Sequence, residues 1–169
     1  PPQQLDFIFN NENIVLETDF KIPEDSLKVI QSLENKIWIE FKRKEKVVAD
    51  KLKEAEMELD YYREKEMQDK TGANIDAVVN CVSRYNQLQK EREEGIKTVI
   101  QEFPDTFASR LIALQKEPFL DGKFSGKQRK EIFKTEYFKL LDFSDPDLIH
   151  SSVYTDNVFK YLMSYAQRG

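Results

Sequence analysis

At 169 residues the chain fits one domain with room for a small appendage. Charged residues make up 34% and apolar ones 40%, a balance that suits long helices with one buried stripe and much wet surface. A formal charge of −5 argues against nucleic acid, whose binding rests on Lys and Arg neutralising phosphate.

Leu5-Asp6-Phe7-Ile8-Phe9 is a β-type run, followed by the turn formers Asn10-Asn11-Glu12-Asn13 and a second run, Ile14 to Thr18. Together they predict a hairpin. A lone two-stranded hairpin is marginal in water. It therefore packs on the helices, or residues 1–31 end a β-domain whose other strands lie elsewhere. Phe20 to Asp25 reads as a connector containing Pro23.

Ser32 is a plausible N-cap for a first long helix over about 32–69. Its seam runs through Leu33, Ile37, Phe41, Val48, Leu52, Ala55, Leu59 and Tyr62, with Lys44 filling one gap. These steps of three and four mark a helix packed on a helix. At ~1.5 Å per residue it spans roughly 55 Å, longer than a small globular domain. Thr71-Gly72-Ala73-Asn74 breaks it and offers a cap for a second long helix over about 74–103. Ile75, Val78, Val82, Tyr85, Ile96, Val99 and Phe103 continue the spacing, with Gln89 and Arg92 in the middle. A short loop between two long helices makes them antiparallel neighbours. The pair is thus expected to be apolar near its ends and polar at its centre. Gly95 is a weak point inside the second helix.

Pro104 stops that helix. Shorter helices are predicted at about 104–116, 127–139 and 155–166, the last capped by Thr155 and burying Val158, Phe159 and Leu162. In the helix at 127–139, Ile132, Phe133 and Phe138 fall on or near one face. The fold class is mainly α: a long antiparallel helical hairpin, short C-terminal helices in a helical domain of residues 32–169, and a small N-terminal β-hairpin.

Catalytic patterns are absent or incomplete. Cys81 is the only cysteine and stands mid-helix beside Val78, Val79 and Val82, which suits a small apolar residue better than an activated thiol. His150 is the only histidine, so no His-His metal site can form. Asp142, Asp145 and Asp147 lack the Gly and distal Glu of a calcium loop and suit a turn. Gly122 to Gly126 lacks the pattern of a phosphate loop. A site joining Cys81 to the loop from Asp142 to His150 is the enzyme reading, and nothing local supports it. No catalytic residue, cofactor or metal is expected. Lys42, Arg43, Lys44 and Lys46 are flanked by Glu40, Glu45 and Asp50, as on a solvated helix face. Ile37, Trp38 and Phe41 form the densest apolar cluster; they and the turn at Gly72 are the candidate interface residues. No apolar run approaches the ~20 residues needed to span a bilayer. Composition and the single cysteine allow both the cytosol and the cell envelope.

Three segments carry a resemblance. Leu5 to Asp19 resembles the closing strands of a small β-domain. Ser32-Leu33-Glu34-Asn35 resembles the start of the helical region that follows such a domain. Phe138 to Leu162, through Asp142-Phe143-Ser144-Asp145-Pro146, resembles the segment before a thioredoxin-like domain. This order is similar to TlpA-like cell-envelope thiol–disulfide proteins of Gram-negative bacteria. The resemblance implies a periplasmic or envelope-anchored, non-catalytic accessory region. It would position a redox domain, whose Cys-x-x-Cys would lie beyond Gly169, or bind a protein partner. The alternative is a free-standing helical adaptor making coiled-coil contacts with a partner or a second copy.

Overall fold

Two rods laid in opposite directions organise the chain. The structure is a computed structural model and describes residues 5–19, 21–141 and 144–166. Its elements in order are β1 (Val15–Glu17), α1 (Pro23–Ser26), β2 (Lys28–Gln31), α2 (Leu33–Gln68), α3 (Gly72–Glu102), α4 (Phe107–Ala113), α5 (Gly126–Glu136) and α6 (Ser152–Ala166). Two 3-10 turns, Tyr137–Lys139 and Leu148–His150, flank the segment between α5 and α6.

Polar caps set most of the helix starts. The hydroxyl of Ser32 accepts the Asn35 amide at 2.9 Å, and Thr71 does the same for Asn74 at 3.4 Å. Ser125 and Gln128 form a reciprocal capping box on α5. Between the long helices, the Asn74 side chain donates to the Asp69 carbonyl at 2.7 Å and pins the turn. The cross-helix pairs fix the direction: Glu58 meets Arg84, and Glu45 meets Arg92. As numbers fall along α2 they rise along α3, so the helices are antiparallel.

The apolar stripe is divided as the spacing predicts. A proximal core gathers Ile37, Trp38, Phe41, Ile96, Leu111 and Ile112. A distal one holds Ala55, Leu59, Cys81 and Tyr85. Leu33 and Ile75, counted in the seam by spacing, are exposed at its two ends.

The N-terminal hairpin forms from other strands than expected. Leu5–Phe9 is not a strand; β1 pairs antiparallel with β2, Leu16 opposite Val29 and Glu17 opposite Lys28. Asn35 explains the difference. Its side chain accepts the Ile8 amide and donates to the Ile8 carbonyl, both at 2.8 Å, as a neighbouring strand would. Ile8 is thereby drawn into the proximal core. The connector around Pro23 contains one helical turn, with proline at the position that needs no amide donor.

The C-terminal helices are shifted from their predicted bounds. α4 is confined to Phe107–Ala113, and α6 begins at Ser152, with Ser151 rather than Thr155 accepting an amide of the first turn. On α6 the buried residues are Val153 and Asn157; Phe159 and Leu162 are 62% and 58% exposed, not covered. Tyr137 is buried beside the more exposed Phe138, and its hydroxyl donates to Asn157 at 3.0 Å. Asn157 in turn donates to the Leu114 carbonyl at 2.7 Å. That chain of bonds ties the C-terminal arm to α4 and selects the face of α6 that turns inward.

Candidate functional site

The polar centre of the helix pair is a binding surface for the chain itself. Asn86, Gln89 and Arg92 recur every three residues and so share one face of α3. Across that face lies the irregular segment Gln115–Phe124, which contains no helix or strand. Gln89 donates to the Leu120 carbonyl at 3.0 Å and accepts the Leu120 amide at 2.7 Å. Asn86 accepts the Gly122 amide at 2.7 Å and donates to the Asp121 carboxylate at 2.9 Å. From α2, Arg63 reaches the carbonyls of Gly122 and Phe124. Arg92 donates to the Gln115 carbonyl at 3.2 Å. The segment is a strap laid over the waist of the hairpin.

Ion pairs and burial surround the strap. Arg92 meets Glu45 at 2.5 Å and Glu117 at 3.1 Å, and Lys160 of α6 also reaches Glu117. Burial raises the Glu45 carboxyl and Arg92 opposes that rise. Burial works against the Arg92 charge too, but Glu117 and Glu45 outweigh it and hold the guanidinium above its ordinary value. Asp121 is pulled down to about 2 by the Lys123 amide and the Asn86 side chain. Tyr85 is pushed up to about 12 by burial, with Glu56 adding to the rise.

Arg129 is the buried cation beneath the strap, 2% exposed. It meets Glu56 at 3.0 Å and Asp60 at 3.3 Å, donates to the Phe124 carbonyl, and lies 5.3 Å over the Tyr85 ring. Its Nε has no partner among the described residues.

Gln89 and Arg92 are the seam positions that spacing marked as polar. The strap itself leaves no periodic signal in the sequence, although Pro118 and Asp121-Gly122 are breaker signals within it.

The other candidates fall elsewhere. Ile37, Trp38 and Phe41 are buried in the proximal core, so this chain's own residues cover them and they offer no free surface. Gly72 is exposed at the start of α3. Lys42 pairs with Asp6 and Lys44 with Glu40, while Arg43 donates to the Leu27 carbonyl. Cys81 is buried in the distal core, where burial, with Glu58 adding to it, raises its thiol. His150 is exposed in a turn whose Leu148 belongs to the proximal core, so the structure does not gather it with Cys81. Asp145 and Asp147 pair with Arg110 at 2.6 and 3.4 Å; Asp142 lies outside the described residues.

No family model, curated protein or solved structure matches the chain. Among the described residues, no cluster of three or more His, Cys, Asp or Glu could hold a metal ion, and no helix is long and apolar enough to cross a membrane. The chemistry that the strap site offers is recognition of backbone by fixed amides and cations.

Proposed function

We propose that this chain is the helical accessory region of a thioredoxin-like thiol–disulfide oxidoreductase of the Gram-negative cell envelope. In this reading it positions the redox domain or binds that domain's protein partner, and the redox chemistry is done elsewhere. The observation that carries it is the outward face of α6. Phe159, Leu162 and Met163 stand on one side of the helix, exposed by 62%, 58% and 40%. Large apolar side chains grouped in this way on a surface mark a contact site. They lie at the end of Phe138 to Leu162, the part of the sequence that resembles the approach to a thioredoxin-like domain.

Two further points favour this reading. Cys81 is a poor nucleophile where it stands, since burial works against its thiolate. With the strap down, the polar seam that an adaptor would offer to a partner helix is engaged through Gln89 and Arg92.

The native gene tests the reading. It is expected to encode an export or lipoprotein signal upstream and a Cys-x-x-Cys domain downstream. In that longer protein, amides of residues 159–166 should exchange with solvent at least tenfold more slowly than in the 169-residue chain. A gene without the Cys-x-x-Cys domain ends the proposal. Unchanged exchange would remove α6 as the docking face. A concentration-dependent dimer of this chain, burying α6, would favour the adaptor instead.

A further inference from the structure

The strap is held as a bound peptide is held. In peptide recognition, main-chain hydrogen bonds give affinity and side-chain fit gives specificity. Here Gln89 takes both backbone groups of Leu120, Asn86 takes the amide of Gly122, and Arg63 takes carbonyls at Gly122 and Phe124. All three gripping side chains belong to the long helices. The fit is selective. Pro118 is buried, and the Asp121 carboxylate meets the Asn86 amide. A Cβ on Gly122 would stand 3.2 Å from the Val82 Cα and 3.2 Å from the Tyr85 ring, a crowded contact that glycine avoids.

The strap supplies no large apolar side chain to either core, and meets the distal one through buried Gly122 beside Val82 and Tyr85. The proximal core ends at Leu114, and no residue from Gln115 to Ser125 is a member of it or of the distal core. Lifting the strap would exchange its hydrogen bonds for water, and would uncover Tyr85, Arg129 and the Arg92–Glu117 pair.

We propose that Arg63, Asn86 and Gln89 form a track for an extended peptide, and that the strap fills it in cis. A partner protein enters when the strap lifts. Its segment has a non-proline residue with free backbone groups, then an Asp, then a Gly, in the order of Leu120, Asp121 and Gly122. The proposal deepens the protein-binding half of the function above and rests on it.

The probe is a fluorescein-labelled peptide with the sequence of residues 117–124, tested by fluorescence anisotropy. It is titrated into the intact chain and into a variant whose residues 117–123 are replaced by a Gly-Ser stretch of equal length. The variant should keep its helical circular dichroism and bind saturably, at least tenfold more tightly than the intact chain. Adding Asn86→Ala and Gln89→Ala should weaken that binding tenfold or more. A peptide carrying Gly122→Val should bind at least tenfold more weakly. A folded variant that shows no saturable binding overturns the track. So does equal binding of the valine peptide. A variant that fails to fold also overturns it, because the strap would then be part of the folding unit. Hydrogen exchange on the intact chain gives a separate reading. The amides of Leu120 and Gly122 should exchange at least tenfold faster than that of Ile96, and exchange only in step with Ile96 refutes a lifting strap. These outcomes are read on this chain alone, without the gene on either side, so the track can fail while the accessory-region reading stands.

Discussion

The Glu34 carboxylate accepts the backbone amide of Ala108 at 2.7 Å, across 74 residues of sequence. Its other oxygen accepts the Phe107 amide at 3.0 Å and the Asn10 side chain at 2.9 Å. One buried acid near the start of α2 thus caps α4 and holds the N-terminal segment. Glu34→Ala should lower stability by about 2 kcal/mol, since a buried and a part-buried amide lose a charged acceptor. Glu34→Gln, which keeps one acceptor oxygen, should lose roughly half as much. Urea denaturation followed by circular dichroism measures both. Equal, negligible losses would show that α4 does not depend on this contact.

The two glycines Gly95 and Gly122 should respond to alanine with opposite signs. Gly95 lies inside α3 with nothing within 4 Å of an added Cβ. Gly95→Ala should stabilise the chain by roughly 0.5–1 kcal/mol through helix propensity. Gly122→Ala should destabilise it by about 1–3 kcal/mol, because the Val82 backbone at 3.2 Å cannot give way cheaply. Thermal melts of the two variants decide the point, and a matching sign would contradict the geometry.

Acid should loosen the strap. Asp121 is held down to about 2 in the folded chain, below its ordinary 3.8. A carboxyl with a depressed folded value stabilises the fold above its unfolded value, and that stabilisation is lost as pH falls through the folded one. The window therefore runs from about pH 4 to pH 2. Asp121→Asn should flatten the pH dependence of stability in that window and leave it unchanged above about pH 5. An acid limb identical in the two proteins would remove Asp121 from the account.

Cys81 should be slow toward thiol reagents. Burial, with Glu58 adding to it, raises its thiol, so less thiolate is present at neutral pH than in a free cysteine. Reaction with a disulfide reagent at pH 7.5 should run at least tenfold slower than for a model thiol, and speed up on adding urea. A rate matching the model thiol would reopen the enzyme reading.

The long helices were legible because their signal repeats over many residues. A three-four spacing from Ile37 to Tyr62, and again from Val78 to Phe103, averages out single exceptions such as Lys44. The polar waist was legible at Gln89 and Arg92 for the same reason. Its occupant was not, since a strap without periodicity leaves no pattern to read. At the N-terminus, the local β propensity of Leu5–Phe9 is overridden by one distant amide, Asn35. The hydrophobicity of Phe159 and Leu162 does not turn them inward. The inward face of α6 is instead chosen by Asn157, whose partners Tyr137 and Leu114 are far away in sequence.

The division of the hairpin into two apolar cores has a mechanical consequence. Ala55, Leu59, Cys81 and Tyr85 hold the outer end of the rods without help from the Trp38 cluster. Heat or tension that melts the outer end would leave the base near Trp38 intact, and the rods would shorten by fraying from Gly72 inward. Reach, rather than integrity, is what the molecule would lose first.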